Sequence, residues 1–204
     1  MPFPKLTART FDSIRDLKGI SKRTMEEHYE LYKGYVAKTN EIQEKLGAVD
    51  RASANQIYSD LRALRVDLSF ATGGVKNHEI YFDHLGGPGG APTGKVAELI
   101  ARDFPSVDEW LKDFKASGMA ARGWVWLAYD HDWNTLTTVV GDAQNTFPLW
   151  NATPVLALDV YEHAYWLDYG RLRAKYIDAF FDNLDWNAVN RNLERALAMA
   201  PAHK

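Results

Sequence analysis

The stretch Thr153-Pro-Val-Leu-Ala-Leu-Asp159-Val-Tyr-Glu-His163 joins an apolar, strand-like run to two groups that can bind a metal ion. A carboxylate and an imidazole four residues apart can converge on one ion if the backbone turns from strand to helix between them. A hard carboxylate with a borderline imidazole suits Mn, Fe or Zn better than Ca or Cu(I). Such a pair is common by chance, so the other histidines decide whether it belongs to a site.

The sequence before this stretch has the three- and four-residue periodicity of helices. After an extended arm in residues 1–19, one long helix is predicted over 24–46, with Ser21 as a plausible N-cap, and a second over about 54–85. The second helix contains the tandem Gly73-Gly74, although each interior glycine costs roughly 1 kcal/mol relative to alanine. A close approach of another group to the backbone would explain that cost.

The glycine- and proline-rich segment Leu85–Pro92 separates this helical part from a mixed one. Helices are predicted over 94–104, 106–119, 171–184 and 186–199, and strands of period two over 123–129, 135–140 and 153–158. We therefore predict an α+β fold. It comprises an N-terminal long helical hairpin in residues 1–88, then a C-terminal α/β domain in residues 89–204 with a small three-stranded antiparallel sheet.

Composition narrows the classes of function. The chain has 204 residues, 46% hydrophobic and 25% charged, which is ordinary for a globular protein. It has no cysteine, so any transition metal must be held by histidine and carboxylate. A net charge of −3 without a basic stripe argues against nucleic-acid binding. The absence of a long apolar run and of a signal-peptide layout predicts a cytoplasmic protein with no membrane partner.

Two further histidines, His28 and His78, each lie mid-helix on an aromatic-rich face. The ordinary interpretation of one such residue is a core histidine bonded to a neighbour. Two of them on facing helices, together with the Asp159–His163 segment, favour a shared metal site. His84 is expected at the surface or as a helix C-terminal charge. No role is expected for His131 in a hairpin turn or His203 in the tail.

Five segments in order resemble the iron/manganese superoxide dismutase family, from about Gly19 to Leu197. Asp159-Val-Tyr-Glu-His-Ala-Tyr-Trp-Leu-Asp-Tyr169 resembles the family's D-V-W-E-H-A-Y-Y-x-D-Y, and Asn77-His78-Glu-Ile-Tyr81 resembles N-H-x-x-[FY]. The other three segments are Gly90–Gly94, resembling G-E-P-T-G, Arg122–Leu127, resembling G-S-G-W-x-W-L, and Ile20–Tyr29, resembling the first ligand segment.

The resemblance implies a metal centre and a reaction. The implied ligands are His28, His78, Asp159 and His163, which would hold one Mn or Fe ion per subunit with a solvent molecule as fifth ligand. The implied substrate is superoxide. One molecule is oxidised to dioxygen, and a second, with two protons, is reduced to hydrogen peroxide. The resemblance does not decide between manganese and iron.

The resemblance also implies a glutamine hydrogen-bonded to the metal-bound solvent. The family supplies it from the second helix, where this chain has Gly74, or from the sheet region, where it has Gln144. Gly74 with Gln144 is more typical of manganese members, with the vacant helix position making room for the glutamine. The alternative, that Gly74 is a packing glycine and Gln144 a loop residue, stays open here.

A site tyrosine follows the first histidine by eight residues in the family, whereas Tyr35 follows His28 by seven. At about 100° per residue, a step of seven returns close to the starting face of a regular helix. A step of eight needs an extra residue absorbed as a π-bulge. We therefore predict a regular α-helix between His28 and Tyr35, with Tyr35 in the site-tyrosine role.

Other departures lie around the ligands. Tyr161 and Phe82 each replace a family tryptophan, and Trp166 replaces a tyrosine that bonds across the family's dimer to a histidine at the place of Tyr32. These changes predict an altered substrate gateway containing Tyr32, Tyr161 and Trp166.

Glu162 is retained, and in the family it bonds the partner's His163, so we expect a homodimer through Glu162. Arg173 matches a family arginine; it either attracts the anion or forms a surface salt bridge. An alternative function also remains open: a dismutase-fold protein that keeps its metal site but serves a structural or interaction role.

Overall fold

The computed structural model describes residues 4–146 and 149–199. It has an α-helical hairpin followed by an α/β part with a three-stranded antiparallel sheet, which confirms the predicted fold class. The helices are α1 (Lys22–Ala48), α2 (Asp60–Asp83), α3 (Gly94–Asp103), α4 (Val107–Ala120), α5 (Trp166–Tyr169), α6 (Arg173–Asp182) and α7 (Trp186–Met199). The strands are β1 (Trp124–Asp130), β2 (Thr135–Gly141) and β3 (Ala152–Asp159), and a 3₁₀ turn spans Glu162–Ala164.

Serine side chains start both helices of the hairpin. Ser21 accepts a hydrogen bond from the backbone N–H of Thr24, as predicted for an N-cap, and Ser59 accepts one from Arg62. The predicted start of the second helix near Ala54 is therefore wrong by one to two turns. Residues 51–58 form turns and bends, and the cap at Ser59 sets the helix start.

Helix α1 is α-helical without interruption over its 27 residues. The prediction of a regular helix between His28 and Tyr35 is confirmed. Its buried residues include His28, Tyr32 and Val36. The helix packs antiparallel against α2.

The sheet has the order β2-β1-β3, with both pairings antiparallel. Trp124, at the start of β1, pairs with Gly141 on one side and with Asp159 on the other. Asp159 is the last residue of β3, and β3 contacts α2. Aromatic and aliphatic side chains of the sheet, of α1 to α4, and of α6 and α7 form the main core.

None of the helices in residues 4–146 and 149–199 combines the length and the apolar character needed to cross a bilayer. The segment before α1 has no helix or extended strand from residue 4 onward, apart from a two-residue bridge between Leu17 and Ile20. The division of the chain at residues 88 and 89 stays a prediction.

Candidate metal centre

Four side chains predicted as ligands converge at one point. His28 comes from α1, His78 from α2, Asp159 from the end of β3 and His163 from the 3₁₀ turn, and one ligand atom from each lies within 4.8 Å of the others. Asp159 Oδ2 is 3.1 Å from Nε2 of His28, 3.1 Å from Nε2 of His163 and 3.6 Å from Nε2 of His78. Two atoms each about 2.1 Å from one ion lie roughly 3.0–3.6 Å apart at bond angles of about 90–120°. The three distances from Asp159 therefore fit ligands of a single ion.

The hydrogen bonds of His78 leave one ring nitrogen for a metal. Its Nδ1 donates to the carbonyl oxygen of Gly74 at 2.6 Å, so Nε2 carries the lone pair. Nε2 is buried and has no hydrogen-bond partner among the described residues. A buried polar atom without a partner costs about 1–3 kcal/mol, which coordination to an ion would offset.

A backbone donor holds the carboxylate of Asp159, and a side-chain donor holds its backbone. Its Oδ1 accepts from the backbone N–H of Tyr161 at 2.9 Å, and its carbonyl oxygen accepts from the hydroxyl of Tyr176 at 2.7 Å. Oδ2 is thereby left to face the three imidazoles. The turn after β3 thus brings Asp159 and His163 together, as the four-residue spacing predicted.

The charge states of His28, His78 and Asp159 suit a cation. Burial lowers the pKa of His28, and it lowers the pKa of His78 to about 3, so both rings are neutral at neutral pH. Burial acts to raise the pKa of Asp159, but His163 and His28 outweigh it and hold that pKa well below its usual range. Burial acts to lower the pKa of His163, and Asp159 reverses this effect. An ionised carboxylate among histidines is a suitable set of donors for Mn or Fe.

Both predicted non-ligand residues lie beside the ligands. The ring of Tyr35 packs 5.3 Å from that of His78, and its hydroxyl accepts from Nε2 of Gln144 at 3.3 Å. Oε1 of Gln144 accepts from the indole N–H of Trp124 at 3.0 Å and from Asn77 at 3.3 Å. Gln144 is therefore a buried, hydrogen-bonded residue.

The tandem glycine of α2 makes room for these two residues. A Cβ atom on Gly74 would lie 2.6 Å from the ring carbons Cγ and Cδ1 of Tyr35, and one on Gly73 would overlap the carbonyl oxygen of Gln144. The predicted close approach to the backbone is confirmed. The occupants differ in part from the prediction, which assigned the space at Gly74 to the glutamine. The ring of Tyr35 fills the space at Gly74, and the backbone of Gln144 fills the space at Gly73.

The prediction that Tyr32 belongs to the gateway is wrong. Tyr32 is 0% exposed, and its hydroxyl donates to Glu79 at 2.9 Å and accepts from the backbone N–H of Arg9 at 2.9 Å. Leu31 instead lines a surface depression with Trp166. Neighbouring residues of a regular helix point about 100° apart. Leu31 therefore faces the depression, whereas Tyr32 faces the interior of the hairpin. The family's histidine lies four residues before its site tyrosine, and Leu31 lies four residues before Tyr35. Counting back from Tyr35, rather than forward from His28, would therefore have identified Leu31.

The depression leads to one of the four ligands. The side chain of His163 is 25% exposed, whereas those of His28, His78 and Asp159 are fully buried. Tyr161 stacks on His163 with ring centroids 5.2 Å apart. The exposed side chains at the rim include Glu162, Trp166 and Leu31.

The remaining singled-out residues lie outside the centre. His84 is fully buried, accepts from the backbone N–H of Ala157 at 3.3 Å and packs on Phe180, so the expectation of a surface residue is wrong. His131 bonds Thr153 at the opposite end of the sheet. Arg173 donates to the hydroxyl of Tyr165 and the carbonyl oxygen of Ala121. His203 lies outside the described residues.

The chain matches two family models in consecutive segments. Residues 16–86 match the one described as iron/manganese superoxide dismutases, alpha-hairpin domain. Residues 92–192 match the one described as iron/manganese superoxide dismutases, C-terminal domain.

Curated relatives align with most of the chain. The protein named superoxide dismutase [Fe] of Aquifex pyrophilus is 43% identical over 205 residues, 98% of this chain and 96% of that protein. Superoxide dismutase [Fe] of Aquifex aeolicus is 42% identical, covering 93% of this chain and 92% of its own. Superoxide dismutase [Mn] 1 of Halobacterium salinarum is 35% identical, covering 87% and 88%. The chain belongs to the iron/manganese superoxide dismutase family.

Proposed function

We propose that the chain converts superoxide to dioxygen and hydrogen peroxide at one iron or manganese ion held by His28, His78, Asp159 and His163. The observation that carries this proposal is the convergence of three imidazole nitrogens and one carboxylate oxygen within 4.8 Å. The relatives include proteins named for either metal, and the proposal covers both ions.

An ion held by these four residues would supply a one-electron couple between its divalent and trivalent states, which the oxidation of one superoxide and the reduction of the next both require. The protein keeps the ligands oriented. Gly74 fixes the ring of His78, and Tyr161 and Tyr176 hold Asp159. Burial of three ligands excludes bulk water and leaves the His163 side as the approach for a small anion.

Tyr35 and Gln144 are proposed to assist with protons. The reduction of superoxide to hydrogen peroxide consumes two protons, and a positioned phenol is a suitable donor. The oxygen of Tyr35 accepts from Gln144, so its own proton stays available for an oxygen atom at the centre. Burial, with repulsion from Asp159, raises the pKa of Tyr35, so the phenol is protonated at neutral pH.

Metal analysis alongside a superoxide-consumption assay tests the proposal. We expect wild type to hold one ion per subunit and to be active, and His163→Ala to lose both properties. His131→Asn, which changes a histidine at the far end of the sheet, serves as the matched control and keeps both. Wild type that stays metal-free after incubation with iron or manganese refutes the proposal. Metal-loaded but inactive wild type supports the alternative of a structural role.

We further propose a homodimer through Glu162. Three large apolar side chains beside it are exposed: Trp166 at 52%, Leu167 at 49% and Leu31 at 43%. Burial of such a cluster against a second copy removes apolar surface from water. In that dimer we expect Glu162 to bond the partner's His163, as the resemblance to the family implies. Sedimentation of wild type and of Trp166→Glu tests this proposal. We expect a dimer that the variant weakens, and a monomeric wild type at micromolar concentration refutes it.

A cytoplasmic location and a boundary near residue 88 are proposed on sequence grounds alone. Cell fractionation against a periplasmic or secreted marker tests the location. Limited proteolysis tests the boundary, with cleavage expected first in the loop of residues 85–92. A fragment pattern without that cut contradicts the boundary.

A further inference from the structure

A hydrogen-bonded cluster joins the two ligand-bearing helices next to the metal centre. It consists of Arg9 from the N-terminal arm, Tyr32 from α1, and Glu79 and Asp83 from α2. We refer to these four residues as the interhelix clamp.

The central contact of the clamp lies at the level of the ligands. Tyr32 follows His28 by one helical turn, and Glu79 follows His78 directly. The hydroxyl of Tyr32 donates to Oε1 of Glu79 at 2.9 Å, which connects α1 to α2 at this level. This bond therefore restrains the separation of the two helices close to both histidines.

The arm completes the clamp from outside. The backbone N–H of Arg9 donates to the hydroxyl of Tyr32 at 2.9 Å, and its guanidinium donates to both carboxylate oxygens of Asp83 at 3.0 and 2.9 Å and to Glu79 at 3.3 Å. The Tyr32 hydroxyl thus accepts one bond and donates another. The pair of bonds to Asp83 is a directional contact that fixes the guanidinium on α2, and the single longer bond then holds it beside Glu79.

Packing transmits the restraint to the ligands. Tyr32 is 0% exposed, and its ring lies 6.1 Å from that of Phe82. Phe82 in turn lies 5.0 Å from the ring of His28 and 6.0 Å from that of His78. A wider separation of the helices at Tyr32 and Glu79 would loosen the aromatic wall against which both imidazoles rest.

The clamp adds a polar restraint to an end of the hairpin where Met25 of α1 and Tyr81 of α2 already pack in the main core. The covalent connection of the hairpin lies in residues 49–59, and a separate apolar cluster of Ile42, Leu46, Leu68 and Ala71 packs near that loop. His28 precedes the end of α1 by 20 residues, roughly 30 Å along the axis. The loop and its apolar cluster by themselves therefore do not set the separation of the helices at the ligands, which local contacts such as the clamp have to fix.

We propose that the interhelix clamp positions His28 and His78 for metal binding and slows metal release. The inference rests on the proposed function, because it assumes that these histidines hold an ion. It gives Tyr32 a role in retaining the metal, in place of the gateway role expected from its position in the sequence.

Tyr32→Phe tests the clamp, with Tyr29→Phe as the matched control. Both changes remove one phenol hydroxyl from α1. The hydroxyl of Tyr29 donates to the carbonyl oxygen of Arg9 at 2.9 Å and so bonds the arm but not α2. The measurements are the rate at which manganese-loaded protein loses metal to excess EDTA, the visible absorption of the bound ion, and urea unfolding of the metal-free proteins.

We expect Tyr32→Phe to release manganese roughly tenfold faster than wild type, which is the smallest effect typical of residues that support metal ligands. Its visible absorption band should also change. Tyr29→Phe should keep the wild-type release rate and band. Equal release rates for the two variants refute the clamp. So does faster release from Tyr32→Phe if the metal-free protein is destabilised in proportion. Wild type that takes up no metal refutes the proposed function and the clamp with it.

Discussion

Gly74→Ala tests directly whether the space beside α2 belongs to Tyr35. The new Cβ atom would lie 2.6 Å from Cγ and Cδ1 of the tyrosine ring and 2.9 Å from Cδ2. Ordinary carbon contacts need about 3.5–4.0 Å, so the ring has to move by roughly 1 Å. His78 and Phe70 pack against this ring, at 5.3 and 6.0 Å between centroids, and they limit the movement.

Two opposing free energies decide the stability of this variant. Alanine in place of glycine inside a helix stabilises by about 1 kcal/mol. Overpacking of a closely filled site costs about 1–3 kcal/mol. We therefore expect a net loss of about 0–2 kcal/mol in the free energy of unfolding. Displacement of Tyr35 by about 1 Å should also weaken its bond to Gln144 and lower turnover by up to about a hundredfold.

Gly34→Ala on α1 is the matched control. A Cβ atom there meets nothing within 4 Å, so this variant should gain the full stabilisation of about 1 kcal/mol without losing activity. Urea unfolding of the metal-free proteins and a superoxide-consumption assay give both quantities. A Gly74→Ala protein that is as stable and as active as Gly34→Ala would refute the placement of Tyr35.

Three further outcomes are expected. Tyr35→Phe should keep one ion per subunit but lower superoxide consumption about a hundredfold, since it removes a proton donor; wild-type rates would contradict that role. Burial lowers the pKa of His84 to about 3, so the unfolded chain binds more protons than the folded one between pH 3 and about 6.5. The contribution of His84 to stability is therefore complete above about pH 6.5 and is lost progressively as the pH falls through that window to about 3. His84→Gln should make the dependence of the unfolding free energy on pH shallower by up to about 1.4 kcal/mol per pH unit, and an unchanged slope would show that His84 does not titrate on unfolding. Manganese at a thousand times its Kd should stabilise the metal-free protein by about 4 kcal/mol in calorimetry, and Asp159→Asn should abolish this gain if Asp159 is a ligand.

The sequence predicted most of the elements, and the pair of Asp159 and His163, because these depend on short spacings. The full set of four ligands, with His28 lying 131 residues from Asp159, came instead from the resemblance to the family. Helical periodicity and the cap at Ser21 are local properties, and so is the turn that joins Asp159 to His163. The start of α2 was missed because residues 51–58 read equally well as helix until Ser59 caps the next segment.

Contacts between distant segments could not be read from the chain. The burial of His84 depends on Phe180 and Ala157, which are far away in sequence, and nothing near position 84 indicates it. The direction of Tyr32 likewise depends on where the N-terminal arm lies. Spacing along a helix predicts which residues share a face, but it does not predict which other segment packs against that face.

The sequence by itself determined which residues can form a metal centre and that Tyr35 lies on the same regular helix as His28. Tertiary structure decided which residues meet that helix. It placed the ring of Tyr35 over Gly74 and the backbone of Gln144 over Gly73, and it turned Tyr32 inward to Glu79. The physical reason is that covalent geometry sets the phase of a helix, whereas close packing between segments far apart in sequence decides which side of it is buried.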